Sequence, residues 1–189
     1  MDLLLNFGAG PNQLPLPWRN LGPEHDIRKR LKFEGSSATA ILAEHVIEHV
    51  PFLQALGFFR EALRVLKPGG VLRVAFPDIG RFLTTRSLEL AINPAADAYA
   101  DALGSRPGLD LPTTGSERTR AALWELLTGW GHQTAWTEHS AAGALLVVGF
   151  TRVTRCPYGH GEIKGVDGHH RDVGPELAQL ESTILEARK

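Results

Sequence analysis

The chain has 189 residues, 43% of them apolar and 22% charged, which is enough for one domain with a sizeable core. A formal net charge of −1 argues against a protein whose main task is to grip nucleic acid. The single cysteine, Cys156, excludes an internal disulfide framework. Residues 1–8 lack the basic start of a signal peptide, and no apolar run approaches the roughly twenty residues of a membrane span. We therefore expect one cytoplasmic domain over residues 1–189, with no nucleic-acid or membrane partner.

The first half of the chain alternates short apolar runs with turns. Strands are predicted at Leu3–Phe7, Trp18–Leu21, Thr39–Ala43 and Val71–Phe76. A helix is predicted over Phe52–Leu66, ended by Pro68-Gly69-Gly70. Its apolar residues recur at helical spacing and are expected to form the buried face: Leu53, Leu56, Phe59, Leu63 and Leu66.

The second half contains a Pro- and Gly-rich stretch, residues 86–116, which predicts an insertion or a mobile loop. Helices are predicted at Pro94–Leu103, Glu117–Thr128 and Ser140–Val148. The middle helix is expected to bury Ala121, Trp124 and Leu127, and Ser140 is expected to cap the last one. The runs Phe150–Thr154 and Leu180–Ala187 are predicted to pair as an antiparallel hairpin. Strands that alternate with helices predict a parallel sheet covered on both faces.

The Gly8-Ala9-Gly10 turn follows the first strand directly. Glycines at the carboxyl end of a strand let the backbone approach a ligand closely, although the same pattern also makes an ordinary turn. Pro11, Pro15 and Pro17 stand where a helix N-terminus would hold a pyrophosphate. This argues against a dinucleotide and hence against a nicotinamide oxidoreductase.

The segment Glu44-His45-Val46-Ile47-Glu48-His49 follows the third strand. Helical spacing would place His45 with His49 on one face and Glu44 with Glu48 on the adjacent face. The order His-x-x-Glu-His differs from the His-Glu-x-x-His of zinc peptidases, so no metal is predicted. Two interpretations stay open: a polar helix start, and a ligand-facing role at the end of a strand.

The loop between the last two strands holds Cys156, His160, His169 and His170. Their spacing, C-x3-H-x8-H-H, matches no standard zinc signature. Surface histidines in a flexible loop are the preferred interpretation, and a zinc site is the alternative.

Three segments carry a resemblance when taken together: LNFGAGPN at 5–12, AILAEHVIEHV at 40–50 and FFREALRVLKPGGVLRVAFPD at 58–78. In this order and spacing the chain resembles a class I S-adenosylmethionine-dependent methyltransferase, closest to the compact type 11 group. The resemblance is specific from Leu3 to about Arg81. It implies an α/β, Rossmann-like fold with a shortened N-terminal half. The implied sheet is mostly parallel, with seven strands in the order 3-2-1-4-5-7-6 and the last one antiparallel.

The resemblance also implies S-adenosylmethionine as cofactor. Its methionine part would lie over the Gly-rich turn, which matches Phe7, Gly8, Ala9 and Gly10. Residues after the family's strand 4 line the cofactor, which matches Ala43, Glu44 and His45. His49 matches a histidine that faces the cofactor or acceptor pocket, and His49 and His45 are the candidate catalytic bases.

Three residues depart from the family pattern. Asn12 replaces a third glycine, and Thr39 replaces an aspartate at the start of strand 4. No acid ends the second strand, where Asn20-Leu21-Gly22 stands. We therefore predict that Asp26 helps to hold the adenosine, with Glu24 as the alternative.

The expected function is methyl transfer to a small-molecule or glycan-type acceptor. The alternative is a non-catalytic, methyltransferase-like binding or regulatory module. The missing strand 2 acid and the proline-filled first crossover favour that alternative, whereas the Gly-rich turn and the 44–49 segment favour the enzyme.

Overall fold

The structure is a computed structural model that describes residues 2–11, 13–82, 94–104, 111, 115–166 and 174–189. The strands are β1 Leu3–Phe7, β2 Trp18–Leu21, β3 Ala38–Glu44, β4 Leu66–Pro77, β5 Arg152–Cys156 and β6 Ser182–Arg188. The helices are α1 Phe52–Val65, α2 Pro94–Gly104, α3 Gly115–Thr128, α4 Glu138–Val148 and α5 Gly174–Glu181. Short 3-10 turns span Ile47–His49, Ile79–Arg81 and Gly129–Gly131.

The sheet has the order β2-β1-β3-β4-β6-β5. Strands β1 to β4 are mutually parallel, and β6 is antiparallel to both of its neighbours. The predicted Rossmann-like, mostly parallel sheet with a reversed last strand is confirmed. The described residues form six strands rather than seven, because the segment 22–37 contains turns where the family's third strand is expected. Since the carboxyl ends of β1 to β4 meet at one edge, the residues that follow these strands lie together.

The main core packs α1 and α4 against the sheet, around the buried rings of Phe58, Phe59 and Trp136. The predicted inner face of α1 is wrong at Leu53, which is 77% exposed. It is confirmed at Phe59, which is buried, and Leu56 and Leu63 pack partly buried against the same core. The buried residues of α1 are Ala55, Phe58, Phe59, Ala62 and Val65. The two alanines belong to this face because they let the helix approach the sheet closely, and a pattern of large apolar residues overlooks them. No helix in the described part of the chain is long and apolar enough to cross a membrane.

The structure also differs from the predictions in the buried face of α3, the cap of α4 and the start of β4. Helix α3 buries Ala122 and Leu126 and exposes Trp124, contrary to the predicted face. Thr137, not Ser140, is the N-cap of α4, and Ser140 supplies the second half of a capping box. Strand β4 begins directly after α1, so the Pro68-Gly69-Gly70 segment lies inside the strand. Within 86–116, α2 agrees with the predicted helix, while 86–93, 105–110 and 112–114 lie outside the described residues.

A buried ion pair joins the two strands at the centre of the antiparallel half of the sheet. Arg73 of β4 lies directly opposite Glu186 of β6, with 2.7 Å between the guanidinium and the carboxylate. Arg73 also donates to the carbonyl of His160, and Glu186 accepts from the N–H of Glu162. The pair therefore anchors the loop after β5 to the sheet.

We expect Glu186→Ala to lower the free energy of unfolding by about 3–5 kcal/mol, because it leaves a buried guanidinium without its counter-charge. Urea denaturation followed by circular dichroism measures this. Arg120→Ala is the matched control, since it removes one member of an exposed pair with Glu117 and is expected to change little. Equal effects of the two variants would contradict the anchoring role of the buried pair.

Candidate functional site

The Gly-rich turn after β1 is held between the end of β2 and the segment that follows β3. Gly8 and Gly10 have φ values of +67° and +47°, which glycine adopts with little strain. The N–H groups of Gly8 and Ala9 both donate to the carbonyl of Leu21, at 3.0 and 3.3 Å. A Cβ on Gly8 would collide with the Val46 side chain, whereas a Cβ on Gly10 would meet only the Gly8 carbonyl at 3.9 Å. Gly8 is therefore required by packing, and the turn is open on the side of Gly10.

Asn20 explains why the end of β2 lacks an acid. Its side-chain oxygen accepts from Asn6 at 2.9 Å and from the N–H of Leu14 at 3.0 Å, and its amide donates to the Leu14 carbonyl at 2.8 Å. An amide can donate and accept at once, whereas a carboxylate would only accept. Asn20 thus ties the proline-rich loop to β1. Thr39 binds Asp2 at the amino end of β3, the end opposite to the site.

Two carboxylates lie in the loop after β2, beside a cavity of about 260 Å³. Both oxygens of Asp26 accept from the Arg28 guanidinium, which lowers the pKa of Asp26 to about 2. Glu24 accepts from the N–H of Gly22 at 3.0 Å, directly at the end of β2. Backbone hydrogen bonds, followed by the contact with His25, lower the pKa of Glu24. Both groups are ionised at neutral pH, and Glu24 lies nearer to the strand end.

The chain leaves β3 through a left-handed residue, His45, with φ +49°. A 3-10 turn follows, so the predicted sharing of a helix face by His45 and His49 is wrong. The His45 side chain is buried, with Nε2 3.0 Å from Ser182 Oγ and Nδ1 3.2 Å from a carboxylate oxygen of Glu48. Burial, aided by the charges of His132 and His49, lowers the pKa of His45 to about 3. Its imidazole is therefore neutral at pH 7.

The segment after α3 lies over the end of β3 and is fastened there by a series of hydrogen bonds. The N–H groups of Gln133 and Thr134 donate to the Glu48 carbonyl at 2.7 and 3.1 Å. Their side chains donate to the carbonyls of His49 and Val50 at 2.8 and 2.7 Å. We call residues 132–136 the cover segment. Its position brings His132 next to His49.

A cluster of three potential metal ligands results, namely Glu48, His49 and His132, whose ligand atoms all lie within 4.8 Å of one another. The rings of His49 and His132 are edge to face, with centroids 4.9 Å apart. His132 Nδ1 lies 2.7 Å from the Leu126 carbonyl. Sequence reasoning missed His132, and its only signal was the Gly129-Trp130-Gly131 turn that precedes it.

A cavity of about 310 Å³ opens beside β6 at the same edge of the sheet, with Arg81, Arg155, Tyr158 and Ser182 among its lining residues. Arg81 donates to the Ser182 carbonyl at 2.6 Å, and Arg155 lies 3.2 Å from Glu138. Burial and the nearby charge of Arg155 lower the pKa of Arg81. Arg81 and Arg155 are the only charged side chains among the lining residues described. His45 adjoins this cavity through Ser182.

The remaining predicted residues have other surroundings. Phe7 packs edge-on against Phe33 and Phe58, and Ala43 is fully buried, so both side chains belong to the core. Glu44 is the last residue of β3. Cys156 is buried, and the predicted histidines 169 and 170 lie outside the described residues, so the alternative zinc site in this loop stays a prediction.

Comparisons with known proteins lead to the same class of fold. A sequence model of the family described as a methyltransferase domain matches residues 18–74. A methyltransferase from Thermotoga maritima superposes with a TM-score of 0.50 at 13% identity, covering 100% of this chain and 83% of that one. The chain has the class I methyltransferase fold. The family model supports the resemblance over the second and third of the three sequence segments, and the superposed structure confirms the fold that the resemblance implies.

Two further solved structures superpose on the chain. A SAM-dependent methyltransferase from Archaeoglobus fulgidus gives a TM-score of 0.53 at 10% identity, covering 100% of this chain and 86% of that one. A structure of PigF with SAH gives 0.54 at 11%, covering 100% and 50%. Among curated proteins, none matches the chain in sequence. The fold family implies use of S-adenosylmethionine, and at such identities the structures establish the fold alone.

We expect the Cys156 thiol to react much more slowly with iodoacetamide at pH 8 than free cysteine does. The side chain is 7% exposed, and burial, with Glu186 nearby, raises the pKa of the thiol. A raised pKa leaves less thiolate at pH 8, so the rate should keep rising as the pH passes 9. The measurement is mass spectrometry of labelled protein over time, with urea-unfolded protein as control. Labelling as fast as in the unfolded chain would contradict the buried position.

Proposed function

We propose that this protein binds S-adenosylmethionine and transfers its methyl group to a small-molecule acceptor. The observation that carries the proposal is the meeting of the Gly8–Gly10 turn and the polar residues after β3 at the carboxyl edge of a class I sheet. The protein does not have to activate the methyl donor, because a sulfonium is already a strong methyl donor. Alignment of donor and acceptor supplies much of the rate.

The cofactor would lie along this edge from β2 to β3. In this proposal its methionine part takes the open side of the turn at Gly10, where the backbone of residues 7–10 is within reach. Ala43, Glu44 and His45 would border it at the end of β3, with Ala43 contributing backbone. The adenosine would enter the cavity beside Glu24 and Asp26, whose carboxylates can accept from ribose hydroxyls or from the adenine amine.

The acceptor would occupy the cavity beside β6. The charged groups that line this cavity, Arg81 and Arg155, are both positive, and Glu138, the partner of Arg155, lies outside the lining. An acidic group on the acceptor could therefore pair with either guanidinium. This favours an acceptor that carries a carboxylate or a phosphate over a neutral one. A net charge of −1 supports a small molecule rather than a nucleic acid.

His49 is the proposed catalytic residue on the acceptor side. It is partly exposed, unlike His45, which is buried and neutral and contacts Ser182 and Glu48. We therefore assign His45 to holding the neighbouring side chains in place. A positioned base typically contributes a factor of about 10²–10⁴ to the rate.

The alternative, a non-catalytic binding or regulatory module, has one observation in its favour. Asn20 stands where the family places a ribose-binding acid, and its side chain is used in holding the proline-rich loop. The two loop carboxylates, Glu24 and Asp26, then remain as the proposed partners of the ribose. Cofactor binding therefore separates the two functions.

We expect S-adenosylmethionine and its demethylated product, S-adenosylhomocysteine, to bind the purified protein with a stoichiometry of one in isothermal titration. Glu24→Gln should weaken binding about tenfold, or 1.4 kcal/mol, if Glu24 holds the ribose. Asp26→Asn is the matched variant, and it should weaken binding more than Glu24→Gln if Asp26 holds the ribose instead. Absence of binding in the wild-type protein would favour the regulatory module.

We expect His49→Ala to reduce turnover by about 10²-fold or more with little change in melting temperature. Release of S-adenosylhomocysteine, measured with an acceptor found by screening acidic small molecules, gives the rate. His139→Ala, on the exposed start of α4, is the control and should retain full activity. A large fall in melting temperature with methyl transfer intact would assign His49 to the structure instead.

A further inference from the structure

We propose that Glu48, His49 and His132 form a binding site for one divalent transition-metal ion of the zinc type. Two imidazoles and one carboxylate are the donor set of many catalytic zinc sites, in which a fourth position stays open. The ligand atoms of the three side chains already lie within 4.8 Å of one another. A metal ion requires ligand atoms that converge in this way, and here they come from two parts of the chain that are far apart in sequence.

The two halves of this site are held together by contacts that do not involve the metal ligands' own donor atoms. Glu48 and His49 belong to the 3-10 turn after β3, and their carbonyls accept from Gln133 and Thr134 of the cover segment. Trp136, at the other end of that segment, donates to the Ile47 carbonyl at 3.4 Å. The site is therefore built before any ion arrives, so little ordering entropy is lost on binding.

Backbone geometry brings His132 to this position. Trp130 has φ +53° and Gly131 has φ +79°, so the chain reverses within the short turn after α3. A left-handed conformation at a residue such as tryptophan is strained and persists only where the surroundings enforce it. Strain of this kind concentrates at functional sites, and here it places an imidazole over the end of β3.

Contacts with neighbouring groups also orient two of the ligands, His132 and Glu48, before an ion binds. Hydrogen bonding of His132 Nδ1–H to the Leu126 carbonyl, at 2.7 Å, leaves Nε2 with its lone pair for a metal. A metal-binding histidine almost always donates its other N–H in this way. His45 Nδ1 lies 3.2 Å from a carboxylate oxygen of Glu48 and orients that carboxylate in turn.

The burial of the ligands fits a site with one open side. Glu48 is 1% exposed, while His49 and His132 are partly exposed. The ion would thus lie between a buried carboxylate and two rings at the surface, with the open position toward solvent or substrate. Nitrogen ligands favour zinc, cobalt, nickel or iron(II) over magnesium and calcium, which prefer oxygen alone.

This inference does not rest on methyl transfer, because a metal can bind whether or not the protein is an enzyme. If methyl transfer also occurs with the ion bound, His49 would act as a ligand instead of the base proposed above. An acceptor hydroxyl on the ion would then lose its proton more easily. Chelation would then lower the rate, whereas it would leave the rate unchanged if His49 were a free base.

The test is isothermal titration of chelator-treated full-length protein with Zn²⁺. We expect one high-affinity site, at least tenfold weaker binding in both His49→Ala and His132→Ala, and unchanged binding in His139→Ala. Cys156→Ser with His160→Ala is the second control, since it removes the thiol at the end of β5 and the one imidazole in the described part of the following loop. Mg²⁺ should not compete. Co²⁺ should give visible absorption bands in the wild-type protein that His132→Ala lacks.

Three results would overturn the site. The first is the absence of stoichiometric Zn²⁺ binding by the wild-type protein. The second is equal affinity in His132→Ala and His139→Ala, and the third is loss of binding in the Cys156 and His160 variant. Circular dichroism of each variant without metal shows whether it is folded. Because His49→Ala and His132→Ala change opposite sides of the cluster, one folded variant is enough to decide.

Discussion

Hydrogen bonds between the cover segment and the carbonyls of residues 47–50 are the interaction on which the site depends. A 3-10 turn this short satisfies few of its own backbone groups, and a buried carbonyl without a partner is costly. The turn after β3 solves this by accepting from a segment more than eighty residues away. As a result, the end of a central strand and the loop after α3 form one rigid unit. At the carboxyl edge, His45 and the pair of His49 and His132 take their positions from that unit.

A second polar network extends this unit to the antiparallel half of the sheet. Asp78, buried at the end of β4, accepts from the N–H of Gly80, the N–H of Glu138 and the hydroxyl of Thr183. One carboxylate thereby joins the end of β4, the start of α4 and the start of β6. The carboxylate at a helix N-terminus is also favoured by the helix dipole. Buried polar groups thus cluster where the apolar core ends, which is where a sheet of this class binds its ligands.

Sequence patterns predicted the parallel sheet and most element positions, because apolar runs and Pro-Gly stops depend on local sequence. The reversed last strand was implied by the family resemblance. The buried faces of the helices were harder to predict from sequence. Close packing of α1 on the sheet requires small residues such as Ala55 and Ala62, and the larger leucines then lie at the margin. The left-handed turn at His45 gave no signal, since neither Gly nor Asn stands there. His132 could not be connected with His49 from sequence, because their proximity depends on hydrogen bonds between parts of the chain that are far apart. The sequence showed only that Asn20 stands where an acid is expected. Its three hydrogen bonds, which join the proline-rich loop to β1, explain why an amide is present there.

The absence of a strand in the segment 22–37 leaves β2 as one of the two outer strands of the described sheet. An outer strand offers unpaired backbone groups to any other chain with extended structure, which is a common route to aggregation. Here the strand has only four residues and is closed by Pro17 before it and by Gly22-Pro23 after it. Its exposed Arg19 adds a charge that another strand would have to desolvate. A shortened fold of this kind thus remains protected against intermolecular sheet growth by the brevity and charge of its border.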